Sequence, residues 1–401
     1  MEERNNGMIV GVPAEAYPGE RRVALVPAVV PTLVKQGLQV MVEPGAGAAA
    51  GFADADYQAQ GASLASDRRQ LFAVAHIVLQ VRGLGATTQI GRADLELLHS
   101  GHVLVGLLNP LGAPKEMLEL ARRGVTAFAL ELVPRISRAQ SMDALTSMAT
   151  VAGYKAILLA ATALPRMLPM MMTAAGTITP ARVLVIGAGV AGLQAIATAH
   201  RLGAAVQAYD VRPAVKEQVE SVGGKFLELP LDTQGAEAAG GYARAMGQEF
   251  YQRQQEMIRK AVAESDVVIT TASVPGGQAP RLISAEMVRQ MRHGSIIVDL
   301  AAETGGNCEL TRSGETVEAY GVTIMAPLNL PSSIPYHASQ MYARNMVSFL
   351  QNIIKEGELR LNLEDEVIRD TLVTHRGEVT NTRLRELLGL PLIEPSTLKG
   401  L

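Results

Sequence analysis

Residues 183–213 read VLVIGAGVAGLQAIATAHRLGAAVQAYDVRP, and this stretch decides the fold. A short apolar strand, Val183–Ile186, runs into Gly187-x-Gly189-x-x-Gly192. A helix is expected next, with Leu193, Ile196, Ala197 and His200 on one face and Gly203 ending it. A second strand, Ala205–Tyr209, then delivers Asp210. Gly187 permits the tight strand-to-helix turn, Gly189 admits a pyrophosphate close to the backbone, and Gly192 lets helix and strand pack closely. The helix N-terminus offers unpaired N–H groups and a positive dipole end to phosphates. Asp210 stands about twenty residues on, where a carboxylate accepts a ribose 2′-hydroxyl. A carboxylate repels a 2′-phosphate, so the expected dinucleotide is NAD(H). Val190, Val211 and Arg212 complete the expected contacts of this unit.

Working outward, 401 residues suggest two domains, and a hydrophobic content of 48% supplies ample cores. A net charge of −3 gives no basic field for nucleic acid. The single cysteine, Cys308, excludes a disulfide framework, fits a reducing cytoplasm, and has no metal partner at useful spacing, so no metal site is expected. Met1–Gly7 is charged and polar, so no signal peptide is expected. The most apolar stretch, Ala156–Ala175, contains Pro165, Arg166 and Pro169. A membrane span needs about 20 clean apolar residues, so buried helices are expected here, with Met170–Met172 as flexible core filling.

The N-terminal third alternates apolar strands (Met8–Val12, Gln39–Val42, Ile77–Val81, His102–Leu107, Val125–Leu130) with helical patterns (Pro27–Gln36, Ala93–Leu98, Lys115–Arg122). This is a parallel α/β rhythm. Beyond the fingerprint, Val267–Thr270, Ser295–Asp299 and Thr323–Ile324 read as strands, and Gln340–Ile354 as one long helix. A polar tail with a turn at Arg376–Gly377 follows. The expectation is α/β, with two doubly wound, Rossmann-like parallel-sheet domains joined by long hinge helices. Residues 1–145 and 328–401 form the first domain, and 146–327 form the NAD(H)-binding domain.

Five segments carry a wider resemblance: GVPAEAYPGERRVALVP (11–27), VEPGAGAAAGFADADY (42–57), the fingerprint, SDVVITTASVPGGQAP (265–280) and GSIIVDLAAETGGNCE (294–309). Over nearly its full length the chain resembles the alanine dehydrogenase and pyridine nucleotide transhydrogenase superfamily. The dehydrogenase branch places a histidine after a strand that matches GHVLVGLLNP (101–110), and Asn109 stands there instead. Asn does not titrate, whereas amine oxidation needs a general acid/base. The branch's substrate lysine maps near Arg82, and Arg22 stands at its substrate-arginine position. His102 reads as a surface or core histidine.

The transhydrogenase branch needs no such acid, because hydride passes between two nicotinamides held in register. The segment RISRAQSMDALT (135–146) is similar to that branch's Arg-Gln-Asp loop. The resemblance implies catalytic roles for Arg135, Gln140 and Asp143. It implies nucleotide contacts from Arg135, Ile136, Ser137, Arg138, Gln140, Asp143 and Thr146. Residues 239–247 (AGGYARAMG) resemble a mobile loop closing over nucleotide, with Gly241 and Tyr242 as contacts. Gln254 and Ser273 match further contact positions. Glu303 divides between a cofactor-site role and a structural cap, and Asn329 resembles a turn residue near the nicotinamide.

The resemblance implies an NAD(H)-binding component of a proton-translocating NAD(P) transhydrogenase. NADP(H) is then held by a partner domain, and a membrane domain lies on other chains. A homodimer peripheral to the inner face of the cell membrane is expected, with no span of its own and no metal. The alternatives are an alanine dehydrogenase-like amino-acid dehydrogenase and an inert NAD-sensing subunit.

Overall fold

The computed structural model describes residues 7–87, 91–228, 237–238, 242–243, 248–274 and 277–393. The chain divides into two compact units, Met1–Met148 with Ser332–Leu401, and Ala149–Pro331.

In the first unit the strands Ile9–Val12, Ile77–Arg82 and Val103–Leu107 are almost wholly buried. Such continuous apolar runs belong to a parallel sheet covered on both faces. The sheet has eight strands, ordered Glu378–Val379, Leu372–His375, Thr126–Ala129, Val103–Leu107, Ile77–Arg82, Ile9–Val12, Gln39–Val42, Ser63–Leu64. The last six run parallel. The first two form an antiparallel edge hairpin. Helices pack Leu71, Phe72, Met117 and Leu120 onto the buried side chains of this sheet.

The expected polar tail is therefore corrected. Residues 366–388 contain two helices and this hairpin. Only Leu372, Val373 and Val379 of the hairpin are apolar and buried, too few to announce strands. The turn at Arg376–Gly377 is present, with φ of 46° and 89° at the two residues, the paired left-handed geometry that suits a two-residue hairpin.

The second unit carries a seven-stranded sheet ordered Lys225–Phe226, Ala205–Tyr209, Arg182–Ile186, Val267–Thr270, Ile296–Asp299, Val322–Met325, Thr316–Ala319. All pairs are parallel except the last. The order 3-2-1-4-5-6 of the parallel strands is that of doubly wound dinucleotide folds, and the strand order reverses beside Arg182–Ile186. Helix Val190–Arg201 buries Gly192, Ala195, Ile196 and Ala199. The buried face is thus turned by one position from the expected one, and His200 is exposed.

Ala144–Ala163 is a 20-residue helix that passes for a membrane span by length and composition, with a mean hydropathy of 1.4. Its contacts are those of a core helix. Ala156, Ile157 and Ala160 join the second unit's core. A Cβ on Gly153 would lie 2.1 Å from the Ala191 carbonyl oxygen. Past this helix the expectation of buried helices fails. Met171–Thr173 and Gly176–Ile178 pair as an antiparallel hairpin, and Met172 is 78% exposed. Pro165 and Pro169 stop the helix, and an apolar run this short does not reveal its period.

Candidate functional site

In the second unit, the fingerprint turn shows why each glycine is there. Gly187 has φ of 97°, and a Cβ on it would meet Thr271 Oγ1 at 2.5 Å. A Cβ on Gly192 would lie 1.9 Å from the Gly187 carbonyl oxygen. The protein's own packing demands both. Gly189 is different: its φ is −75°, and a Cβ on it would meet nothing within 4 Å. No steric demand of this chain explains a glycine at the N-cap of the helix, where Ser, Thr, Asn or Asp cap better. A ligand approaching the N-terminal N–H groups does explain it. The turn therefore fits a dinucleotide pyrophosphate.

Asp210 follows the neighbouring strand and is 9% exposed. Its Oδ2 accepts from the Ala188 N–H at 2.8 Å, tying it to the glycine turn. Its Oδ1 accepts from the Arg212 N–H at 2.9 Å. Arg212 also grips the carboxylate with its side chain, Nε to Oδ1 and Nη2 to Oδ2. Val190 is exposed on the first turn of the helix, and Val211 is half-buried between Asp210 and Arg212. Gln254 is buried, and its Nε2 donates to the Tyr209 hydroxyl at 2.9 Å. Burial pushes that phenol up to about 12. Ser273 is exposed beyond the strand Val267–Thr270. Gly241 lies outside the described residues. Tyr242 opens a two-residue strand paired with Glu237–Ala238.

Sequence reasoning missed the group that holds the strand ends together. Asp299 is fully buried at the end of its strand. Oδ1 accepts from the Thr270 hydroxyl at 2.9 Å and the Ala301 N–H at 3.0 Å. Oδ2 accepts from the Asn307 N–H at 2.8 Å, the Cys308 N–H at 3.1 Å and the Thr311 hydroxyl at 2.6 Å. Asn307 extends the web through its carboxamide to Ala272 and Pro280. The loops after two adjacent strands are thereby fixed at the edge where doubly wound sheets bind ligands. The lone acid ending the apolar run IIVD was the available signal. Glu303 accepts from the Asn329 N–H at 2.9 Å, which stabilises that residue's left-handed turn (φ 49°). Cys308 is buried and its thiol is pushed up to about 11 by burial, which makes it inert.

In the first unit, Ser137–Met142 is a 3₁₀ segment. Arg135, Ser137, Arg138 and Gln140 are exposed, Ile136 and Asp143 half-buried. Asp143 accepts from the Thr146 N–H at 2.8 Å and the Thr146 hydroxyl at 2.6 Å, capping the helix that starts at Ala144. Arg138 is engaged with Asp365. Among the described residues no group of three His, Cys, Asp or Glu is placed to hold a metal.

The family models described as alanine dehydrogenase/PNT, N-terminal domain and C-terminal domain match residues 11–152 and 156–382. The chain belongs to the alanine dehydrogenase/PNT family. It is 47% identical to an NAD(P) transhydrogenase subunit alpha protein of Rhodospirillum rubrum over 94% of this chain and 99% of that protein. It is 30% identical to the alanine dehydrogenase of Bacillus subtilis over 95% of each chain. A transhydrogenase crystal structure from Sinorhizobium meliloti superposes with a TM-score of 0.83 at 42% identity, covering 92% of this chain and 99% of that one.

Within this alanine dehydrogenase/PNT chain, the first unit's strand ends hold a dense ionic cluster. Arg22 is buried against Glu20, with Nε to Oε1 at 2.8 Å and Nη2 to Oε2 at 2.6 Å. Arg82 lies 3.6 Å from the same carboxylate and stacks over Tyr17. Glu15 accepts from the Val81 and Arg82 N–H groups at 2.6 and 3.0 Å, and burial pushes its carboxyl up to about 8. Glu131 accepts from the Leu108 and Asn109 N–H groups and is pushed up to about 7 by burial. Asn109 itself has φ of 48°. His102 is a core residue: its ring bonds the Phe72 carbonyl and the His99 N–H, and burial lowers its pKa.

Proposed function

We propose that this chain is the NAD(H)-binding component of a proton-translocating NAD(P) transhydrogenase, exchanging hydride between NADH and NADP⁺ held on a partner domain. The observation that carries the nucleotide is Gly189, a glycine that a ligand requires and the fold does not. Bound NADH supplies the hydride. The chain's residues bind, orient and exclude water. Gly187, Gly189, Val190 and Gly192 receive the pyrophosphate, and Asp210, Val211 and Arg212 receive the adenosine ribose, with Gln254 and Ser273 beside them. Arg135, Ile136, Ser137, Arg138, Asp143 and Thr146 address the nicotinamide end, and Gln140 reaches the second nucleotide. Residues 239–247, with Gly241 and Tyr242, close over the bound molecule.

The name of the 47% identical relative supports the transhydrogenase branch. So does the ionic cluster. The arginine that a substrate carboxylate would need, Arg22, is already bonded to Glu20 through both carboxylate oxygens. Asn109 offers no proton. In this reading the second unit is the NAD(H)-binding domain, and the first is an α/β domain completed by the C-terminal segment. The working form is a homodimer attached, through partner chains carrying the NADP(H) and membrane domains, to the cytoplasmic face of a membrane.

The test is a reconstitution. The chain is mixed with a purified NADP(H)-binding domain, and reduction of an NADP⁺ analogue by NADH is followed in a single turnover. Transfer that requires both components is expected. Reduction of NAD⁺ by alanine with no partner present would replace this reading with the dehydrogenase.

A further inference from the structure

The 3₁₀ segment Ser137–Met142 is anchored at two points by the C-terminal part of its own unit. Arg138 meets Asp365 in a fork, Nη2 to Oδ1 at 2.8 Å and Nη1 to Oδ2 at 3.1 Å. Asp365 is also the N-cap of the helix Glu366–Thr371, accepting from the Val367 N–H at 2.8 Å. The second anchor is Asn345, buried in the helix Pro335–Ile353, whose Nδ2 donates to the Ser141 carbonyl at 2.8 Å. The anchors bracket Gln140: one lies two residues before it, the other one residue after.

A 3₁₀ segment has poor internal hydrogen-bond geometry and holds its shape only with outside help. The Arg138 side chain is 48% exposed, and an ion pair that exposed contributes little to stability. A bidentate fork does something else well: it fixes orientation, because two parallel bonds define a plane. The arginine holds Asp365 below its usual carboxylate range, so the fork stays charged at neutral pH.

We propose that Asp365 is a positioning residue for the 135–143 segment, acting through Arg138, so that the C-terminal segment sets where Gln140 stands. This rests on the function proposed above. It also assigns Arg138 a task within its own unit.

The test uses Asp365→Ser in the full chain. Serine caps a helix about as well as aspartate but is too short to reach Arg138, so capping and the fork are separated. The thermal midpoint stays that of the parent. Hydrogen exchange across 135–143 accelerates about tenfold. Single-turnover hydride transfer to the NADP(H)-binding domain falls about tenfold, the loss expected when a reacting group is loosened rather than displaced by a full ångström. NADH affinity, read by equilibrium titration, changes less than about twofold. Asp365→Glu, which keeps the charge, recovers part of the rate. Unchanged exchange in Asp365→Ser overturns the anchoring, and faster exchange with an unchanged rate overturns the positioning role. Absence of transfer in the unsubstituted chain overturns the transhydrogenase reading, and the exchange measurement still decides the anchor.

Discussion

Arg212 holds Asp210 at both carboxylate oxygens, each at 2.9 Å, while the Ala188 N–H ties the same group to the glycine turn. The acid meant for a ribose is thus oriented before any nucleotide arrives. The expected outcome is a strong preference for NADH over NADPH in fluorescence titration. Asp210→Asn keeps the shape and removes the charge. Losing a charged hydrogen bond costs about 1.5–3 kcal/mol, so NADH should bind roughly tenfold more weakly or worse. Equal affinities for NADH and NADPH in the unsubstituted chain would remove Asp210 from the nucleotide site.

Gly189 and Gly192 separate binding from folding. A Cβ at Gly192 collides with the Gly187 carbonyl, so Gly192→Ala is expected to lower the thermal midpoint sharply or prevent folding. Gly189→Ala has room and ordinary dihedrals. It should melt with the parent to within about 0.5 kcal/mol yet lose NADH affinity. A Gly189→Ala variant with unimpaired titration would show that nothing approaches this backbone.

Gln140→Asn shortens one exposed side chain by a methylene. If Gln140 reaches the second nucleotide, a displacement of about 1 Å there can cost about a hundredfold in rate. NADH titration of the variant should match the parent, and stopped-flow transfer to the partner domain should collapse. Unchanged transfer would make Gln140 an ordinary loop residue.

Glu15 sets a pH dependence of stability. Its carboxyl is raised from 4.5 to about 8 in the folded chain. The folded state therefore holds this proton more tightly than the unfolded state does. The contribution is complete below the unfolded value of 4.5 and is lost as pH rises towards 8. In that window the slope is on the order of 1 kcal/mol per pH unit. Glu15→Gln should flatten the curve, as measured by urea midpoints from about pH 5 to about pH 8.5, a range chosen to span the shift. Parallel curves for variant and parent would show that Glu15 does not titrate there.

The legible regions of this molecule were those whose physical demands are local. Gly187, Gly192 and Asp210 lie within one strand-helix-strand unit, so their spacing declares the sheet order and the ligand edge together. Asp299 was hidden because its five donors come from loops that meet only in the fold. Arg138 and Asp365 stand 227 residues apart, and nothing near either one announces the other. The hairpin at 171–178 escaped because a run of methionines after two prolines has no legible period. The edge strands at 372–379 escaped because half of their residues are polar.

That exposed hairpin has a consequence for chemical durability. In the isolated chain Met172 is 78% exposed and Met170 61%, whereas Cys308 is 1% exposed and its thiol holds its proton tightly. Peroxide therefore reaches thioether sulfur well before thiol. The product is a sulfoxide, which turns an apolar side chain polar and is restored by methionine sulfoxide reductases, not by thiol reductants. Oxidative damage to this chain should begin on the hairpin as added mass on methionine, with the single cysteine still reduced.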